Sequence, residues 1–504
     1  MLKIEDTRAK RAKLNIIISL LCQMLTLFCG LIIPQMMIKA FGSEAYGATA
    51  SIGQFLAYIT LLEGGVGGVA RAALYKPLAE NNIRVISEII YEIKHFFKYV
   101  ACIFVIYVVI LASFFEKISN VKCFDWFTTF ILVIVISIST IAQYFIGISY
   151  AILIQASQRT YITSVINILA TILNTILTII LVMTGKGLVY VKFVSSCVFV
   201  LRPVLMWLYV KKEFKLEKCV DTSKNYLSQK WAGLGQHIAF FLYSNTDMAV
   251  LTMFADLKTV AVYAVYYMVV SQIENFTTSF STGMEAIFGD MLAKRELQIL
   301  HKTFNYYETL ISIITSILFS VTAVLIIPFV KIYTRGVNDV NYIVPQFAII
   351  LITASAIVCL RKPYHNITIA AGHFKQTQIA AYGEAIINIV LSVLLVIKFG
   401  LIGVAIGTVV ASSFRMVYYA IYLTENIFNR KFKYFVKREV VNVFICGIIY
   451  YIGNIVKYFW DFSGYFSWAI CGVVVVCIAT VVTLLGNFLF YRGDMLEIIK
   501  RRSK

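Results

Sequence analysis

Charge is scarce in this sequence. Only 14% of its 504 residues are charged, 60% are hydrophobic, and the mean hydropathy is +0.82. A soluble domain is about one quarter charged, and a single soluble core would not absorb this much apolar surface. Acids are the scarcer sign, 26 against 45 Lys and Arg, for a formal net charge of +19. The basic residues sit at the ends of apolar runs, so the excess reads as a topology signal and excludes a nucleic-acid-binding patch. Paired cysteines are missing too: ten are scattered singly, with no C-x-x-C. That excludes a disulfide framework or a cysteine metal site and leaves small buried hydrophobes. A small-residue cleavage site is also missing after the basic start, Lys3 to Lys13, and the apolar run that follows is too long for a signal peptide. A retained first membrane helix is expected there.

A membrane span needs about 20 apolar residues. That ruler gives fourteen: 14–38, 46–70, 96–115, 127–154, 160–183, 188–210, 231–254, 260–288, 304–330, 342–370, 376–397, 401–427, 439–459 and 466–491. With the N-terminus cytoplasmic, the inner segments hold 31 Lys and Arg, the outer segments nine, and five lie within spans. A miscounted helix would invert this bias partway along the chain, and no inversion occurs. Both termini are expected on the cytoplasmic side of a bacterial cytoplasmic (inner) membrane.

The chain also repeats. FGSEAYGATASIGQF follows span one and FADLKTVAVYAVYYMV follows span seven, while NTILTIILVMTGKGLVYV (174–191) has its echo in NIVLSVLLVIKFGLIGVAI (388–406). Six spans separate the copies, so both halves start on the same side and the repeat is parallel. The expected fold is an all-α polytopic membrane protein with two six-helix lobes and two additional C-terminal helices. The expected divisions are 1–210 and 231–428 for the lobes, a cytoplasmic linker at 211–230, extra helices within 439–491 and a basic tail at 492–504. The outer connections are short, which disfavours a membrane glycosyltransferase or polymerase with an outer acid/base domain. No P-loop, H-E-x-x-H, nucleophile elbow or dinucleotide fingerprint interrupts the spans. A protein that moves its substrate without transforming it is expected, with no cofactor beyond a coupling ion.

One stretch breaks the apolar pattern. LLEGGVGGVARAALYKP (61–77) places Glu63, four glycines and Arg71 at the inner part of span two. Glycines there allow close packing, a bend or entry of water. Glu63 either pairs with Arg71, across about 12 Å of helix, or lines a wet cavity. The in-span bases are Lys192, Arg202, Arg361, Lys362 and Arg415. Lys192 is near an outer end and is expected to snorkel. Arg202 and Arg415 are mid-depth at corresponding places in the two halves; each lines a cavity or pairs with a buried carboxylate. Arg361 and Lys362 face either the cavity or the cytoplasmic interface. His237 is expected at the interface, and Glu274 and Glu285 either line the cavity or bond within a lobe.

The motif of span two resembles a signature of the polysaccharide flippases (Wzx-type) in the MATE/MurJ-like (MOP) exporter superfamily. Its residues are Phe41, Gly42, Tyr46 and Gly47, then Glu63, Gly65, Ala70 and Arg71. The resemblance continues through GHFKQTQ (372–378) and G-L-I-G (400–403) and covers spans 1–12. It implies paired six-helix lobes in a V and outward flipping of polyprenyl-diphosphate-linked sugars by alternating access. The implied substrate is an undecaprenyl-diphosphate-linked oligosaccharide for O-antigen, capsule or another surface polysaccharide, with a polymerase and glycosyltransferases as pathway partners. Glu63, Arg71, Arg202, Arg361, Lys362 and Arg415 would line its cavity, arginine forks suiting the diphosphate. A lipid II flippase is the nearest rival, compatible with two extra spans; a MATE-type multidrug exporter follows, poorly served by basic lining.

Asp247 lies seven residues inside the outer end of span seven, Ser392 six inside span eleven and Thr408 seven inside span twelve. All three fall about 10 Å deep, with Asn388 one turn deeper on the face of Ser392. One anionic and several neutral oxygens suit sodium; packing polars in one lobe is the other reading. Lipid II flippases of the same superfamily carry a sodium site whose ligands would fall here on Asp247, Asn388, Ser392, the Val404 carbonyl and Thr408. Ser392 stands where a second carboxylate would be expected, so the resemblance implies weaker sodium binding or coupling by protonation of Asp247.

Overall fold

The computed structural model describes residues 2–63, 66–217, 226, 234–281, 283–428 and 430–493. Gly64 and Gly65 of the span-two motif, most of the 211–230 linker, the tail beyond 493 and the side chain of His237 lie outside the described residues. The described residues contain helices and no strand.

Ten stretches are long and apolar enough to cross a membrane. Two of them each hold two helices. In α1 (Leu2–Ala57) Gly42 is non-helical at φ 85° and ψ 166°, a conformation open to glycine, and it separates the first span from the second. In α15 (Phe374–Asn426, reached below) Gly400 does the same at φ 53° and ψ −128°. With α9 (Leu234–Phe254) and α10 (Leu257–Ser279), which carry Asp247 and Glu274, helices occupy all fourteen positions read from the sequence. The protein is a multi-pass, all-helical membrane protein.

Two compact units divide the chain: Met1–Phe241 with Asp256–Ala261, and Leu242–Ala255 with Val262–Lys504. The first holds α1, then α2 (Thr60–Glu63), α3 (Val66–Ala79), α4 (Ile83–Ser119), α5 (Trp126–Ala142), a π-helical turn (Gln143–Gly147), α6 (Ile148–Ala156), α7 (Thr160–Met183) and α8 (Leu188–Phe214). The second span is interrupted by a turn at Tyr58 and Ile59, between α1 and α2. Asn82 caps α4 by accepting from the Val85 N–H at 3.1 Å, meeting one of the donors a helix start leaves open. Gly47 has a packing reason: a Cβ there would lie 1.8 Å from the Leu257 carbonyl oxygen.

The second unit contains most of α9 and α10, then α11 (Met284–Ala293), α12 (Leu297–Tyr333), α13 (Pro345–Leu360), α14 (Lys362–Ala370), α15, α16 (Lys433–Tyr458) and α17 (Tyr465–Phe490). Helix α12 is its centre, packed on α13, α16 and α17 and buried at intervals from Leu300 to Tyr333. Both copies of the 174–191 and 388–406 echo turn between helices on a positive-φ glycine, Gly185 at 72° and Gly400 at 53°.

Large apolar side chains point outward, among them Leu20, Ile106, Leu394, Val443 and Leu489. Water would penalise that surface; hydrocarbon does not. Inside, small hydroxyls satisfy themselves on carbonyls one turn back, as do Thr309 on Asn305, Thr322 on Leu318 and Ser412 on Thr408. Single cysteines introduced at 118–122 and 336–340 are expected to react with an impermeant thiol reagent from outside, and those at 432–436 are not. Outside labelling at 432–436 would break both the span count and the charge-based orientation.

Candidate functional site

Asn388, Ser392, Val404 and Thr408 are brought together by one glycine hairpin. Gly400 turns α15 back on itself, and Gly403 and Gly407 leave its two halves room to touch. A Cβ on Gly403 would lie 2.3 Å from the Leu395 carbonyl oxygen; on Gly407 it would lie 2.6 Å from Ser392 Oγ. This small-xxx-small pair sets Asn388 and Ser392 against Val404 and Thr408. Thr408 Oγ1 contacts Asp247 Oδ2 at 2.8 Å and the Val404 carbonyl at 3.1 Å. Asn388 Nδ2 donates to Thr408 Oγ1 at 3.0 Å and to Asp247 Oδ1 at 3.3 Å. Ser392 Oγ donates to Val404 O at 3.4 Å. The five residues named from sequence come together, all buried.

Tyr263 of α10 is the addition, donating its phenol to Asp247 Oδ2 at 3.2 Å. Three donors therefore converge on one buried carboxylate. Asn388 Oδ1 is a buried acceptor with no hydrogen-bond partner among the described residues, and such an atom is costly unless something binds it. The available ligands are all oxygen: one carboxylate, a carbonyl, an amide oxygen and hydroxyls. Among the described residues no group of three His, Cys, Asp or Glu gathers, so this donor set suits a hard monovalent cation or a proton, not a transition metal.

Elsewhere in the second unit the in-span cations are paired. Arg361 and Arg415 each bind one oxygen of the fully buried Glu384. Arg415 also reaches the Tyr419 hydroxyl at 3.4 Å. Glu274 accepts from Ser355 and lies within electrostatic reach of Lys362 and Arg361. Of the two readings of Arg415, cavity lining or pairing with a buried carboxylate, the structure shows the carboxylate; Arg361 is the second arm of the same Arg–Glu–Arg bridge. The physical reason is desolvation: Arg361 and Arg415 are both buried away from water, where a carboxylate partner offsets the cost of the charge. Glu384, in AAYGEAIIN, is the residue that sequence reasoning missed. Its signal was a lone acid in the apolar run of α15, in the helix that carries Arg415.

The first unit is different. A cleft of 470 Å³ is lined by Ser139, Thr140, Gln143, Gln155, Asn167 and Arg202, among others. Arg202 lies with its guanidinium 4.0 Å from the centre of the Phe199 ring. Its Nε has no hydrogen-bond partner among the described residues. Buried or half-buried arginines that do form ion pairs among those residues are Arg159, Arg361, Arg415, Arg430 and Arg438. Arg202 is outside that set. An adjoining cleft of 260 Å³ shares Gln143, Ala151 and Gln155 and adds Glu63, Gly67 and Arg71. There Arg71 donates to Gln155 Oε1 at 3.1 Å and Tyr144 donates to Glu63 Oε2 at 3.1 Å. Glu63, Arg71 and Arg202 thus line one continuous polar recess.

The π-turn Gln143–Gly147 shapes that recess by aiming Gln143 and Tyr144 into it. Such turns recur at functional sites, and no sequence rule located this one. Gly147 lets α8 approach: a Cβ there would lie 2.7 Å from Pro203 Cβ, and Pro203 is next to Arg202.

No family model matches the sequence, and no curated protein matches it significantly. Solved structures do match. The structure of a lipid II flippase, MurJ, in an inward closed conformation, aligns over 95% of this chain and 99% of its own, with a TM-score of 0.67 and 16% identity. The chain has the MATE/MurJ fold. An inward-facing multidrug-resistance MATE transporter of the MOP superfamily aligns over 81% of this chain and 98% of its own, at TM-score 0.59 and 16% identity. A eukaryotic MATE transporter aligns over 82% and 96%, at TM-score 0.56 and 13% identity. The two MATE structures are thus nearly used up while almost a fifth of this chain is left over. The MurJ structure spans nearly the whole of both.

Proposed function

We propose that this protein flips an undecaprenyl-diphosphate-linked oligosaccharide outward across the bacterial cytoplasmic membrane, by alternating access, for surface polysaccharide synthesis. The observation that carries the reading is Arg202: a guanidinium that forms no ion pair among the described residues, beside Gln143, Gln155 and Asn167 in a polar recess that also holds Arg71. A cation kept at this depth needs an anion. A diphosphate supplies one, and a pair of its oxygens suits the planar guanidinium fork. The amides beside it suit hydroxyl-rich sugar, and the lipid tail remains in hydrocarbon.

A lipid II flippase is the second reading, favoured by the alignment of the MurJ structure over 95% of this chain and 99% of its own. Both cargoes carry the same polyprenyl diphosphate. A drug exporter fits less well, because a free arginine repels cationic drugs.

Asp247 would couple the cycle to a monovalent cation, sodium or a proton, which neutralises its charge when bound. Asn388, Ser392, Thr408 and the Val404 carbonyl orient and share that load, and Tyr263 holds Asp247 in place. Because these groups come from α9, α10 and both halves of α15, neutralising Asp247 alters the packing of three helices at once.

Arg202→Ala is expected to lower transport about ten- to hundred-fold, the worth of a charge-assisted bond, with membrane abundance unchanged. Arg202→Lys should restore part of it if a point charge suffices, and none if bidentate contact is required. Wild-type export of surface polysaccharide by Arg202→Ala would refute the diphosphate site.

A further inference from the structure

A further cavity belongs to neither site above. It is a cleft of 570 Å³ in the second unit, lined by His301 and Asn305 of α12, Arg430 and Lys431 before α16, Lys433, Tyr434, Lys437 and Arg438 on α16, and Tyr491 after α17. Every element contributes the end that the charge bias assigns to the cytoplasm. Its floor is anchored by Glu308, buried, accepting from Tyr364 and from Arg430 at 3.0 Å, and ion-paired with Arg438, whose Nε lies 3.5 Å away. The rims are aromatic. Tyr434 lies 5.7 Å from the Arg430 guanidinium and 5.8 Å from Lys433 Nζ, and Tyr491 lies 5.4 Å from Lys437 Nζ and 4.7 Å from the Arg438 guanidinium. Two rings thus hold four cationic heads around one concavity.

The charges there do not balance. Five cations face Glu308, and Glu439 is within electrostatic reach of Arg438. Lys431, Lys433 and Lys437 form no ion pair among the described residues, while Glu308 is already shared by two arginines. An anion with several acceptor oxygens, a phosphate, would complete the set.

The geometry of α16 separates a lipid phosphate from a free one. At 100° per residue, Lys433, Lys437, Val440, Phe444 and Tyr451 share one helix face. Lys433 and Lys437 are exposed at the cleft, and below them Val440, Phe444 and Tyr451 are 63%, 59% and 70% exposed. The face therefore runs from cations at the interface to bare apolar surface within the bilayer, the profile of a headgroup with its chain.

We propose that this cleft seats the phosphate of an anionic phospholipid of the cytoplasmic leaflet, with an acyl chain along the Val440–Phe444–Tyr451 face of α16. This lipid is a fixed membrane partner, separate from any transported cargo. It would tie α12, α16 and α17 together at their inner ends.

The test uses the purified, delipidated full-length chain with phosphatidylglycerol, phosphatidylcholine or inorganic phosphate added back. Native mass spectrometry reads bound lipid and thermal melting reads the stabilisation. Phosphatidylglycerol should stay bound and raise the melting temperature; phosphatidylcholine and millimolar phosphate should do neither. The double variant Lys433→Gln/Lys437→Gln removes two exposed charges and should bind phosphatidylglycerol on the order of 30-fold more weakly, at about fivefold per basic residue. A control, Lys211→Gln/Lys212→Gln at the end of α8, should bind as the wild type does. Wild-type binding by the cleft variant would overturn the proposal. So would equal loss in the control, which means diffuse attraction, or an equal melting shift from phosphate alone, which means a soluble anion.

Discussion

Asp247→Asn is expected to abolish transport and leave the protein folded and abundant. The substitution keeps the side-chain shape, and its amide oxygen can still accept from Thr408 at the 2.8 Å contact and from Tyr263. What goes is the charge, and only the charge responds to a bound monovalent cation. A buried carboxylate costs several kcal/mol to desolvate, so removing it does not threaten the fold. Thr408→Val should impair the same step less, because it deletes one neutral oxygen of several. Flipping in proteoliposomes under imposed sodium or proton gradients would distinguish the two ions. A fully active Asp247→Asn, with a wild type indifferent to both gradients, would reduce the cluster to helix packing.

Glu384→Gln should produce the largest loss of stability of any single substitution considered. Arg361 and Arg415 share this one carboxylate, and the residue itself is fully buried. Removing the middle charge leaves two guanidinium groups close together in a low-dielectric interior. Breaking a buried pair costs about 3–5 kcal/mol, and the stranded second arginine adds repulsion. The expected result is protein that fails to accumulate in the membrane or melts far below the wild type in detergent. Replacing all three residues by methionine should recover much of the abundance, since a triad removed whole leaves no stranded charge. Glu384→Gln that accumulates and melts as the wild type does would mean that the arginines find another anion. The recovered triple variant also shows whether the bridge serves transport: activity in it would mark the bridge as structural alone.

These two sites show how far sequence carries. The spans were legible because a bilayer of fixed thickness imposes a length, and the charge bias imposes a direction. The Asp247 cluster was legible because depth along a helix is arithmetic: Asp247, Ser392 and Thr408 fall at a common height, with Asn388 one turn deeper. Depth says nothing about azimuth, however. Arg202 and Arg415 occupy comparable depths, yet Arg415 turns to Glu384 while Arg202 lies over Phe199 in a polar recess. Only packing separates them. Tyr263 was hidden for the same reason, one tyrosine among 31. The π-turn at Gln143–Gly147 depends on how α5, α6 and α8 meet, which the sequence pattern does not record.

The direct measurement is flipping by the purified protein. Fluorescent undecaprenyl-diphosphate oligosaccharide would be placed symmetrically in proteoliposomes, and the fraction protected from an impermeant quencher or glycosidase followed with time. Protein-dependent loss of protection, blocked in Arg202→Ala and Asp247→Asn, is the expected result. Protection that stays at the protein-free level, with a reconstituted wild type that is folded and oriented, would contradict a lipid-linked oligosaccharide as the cargo.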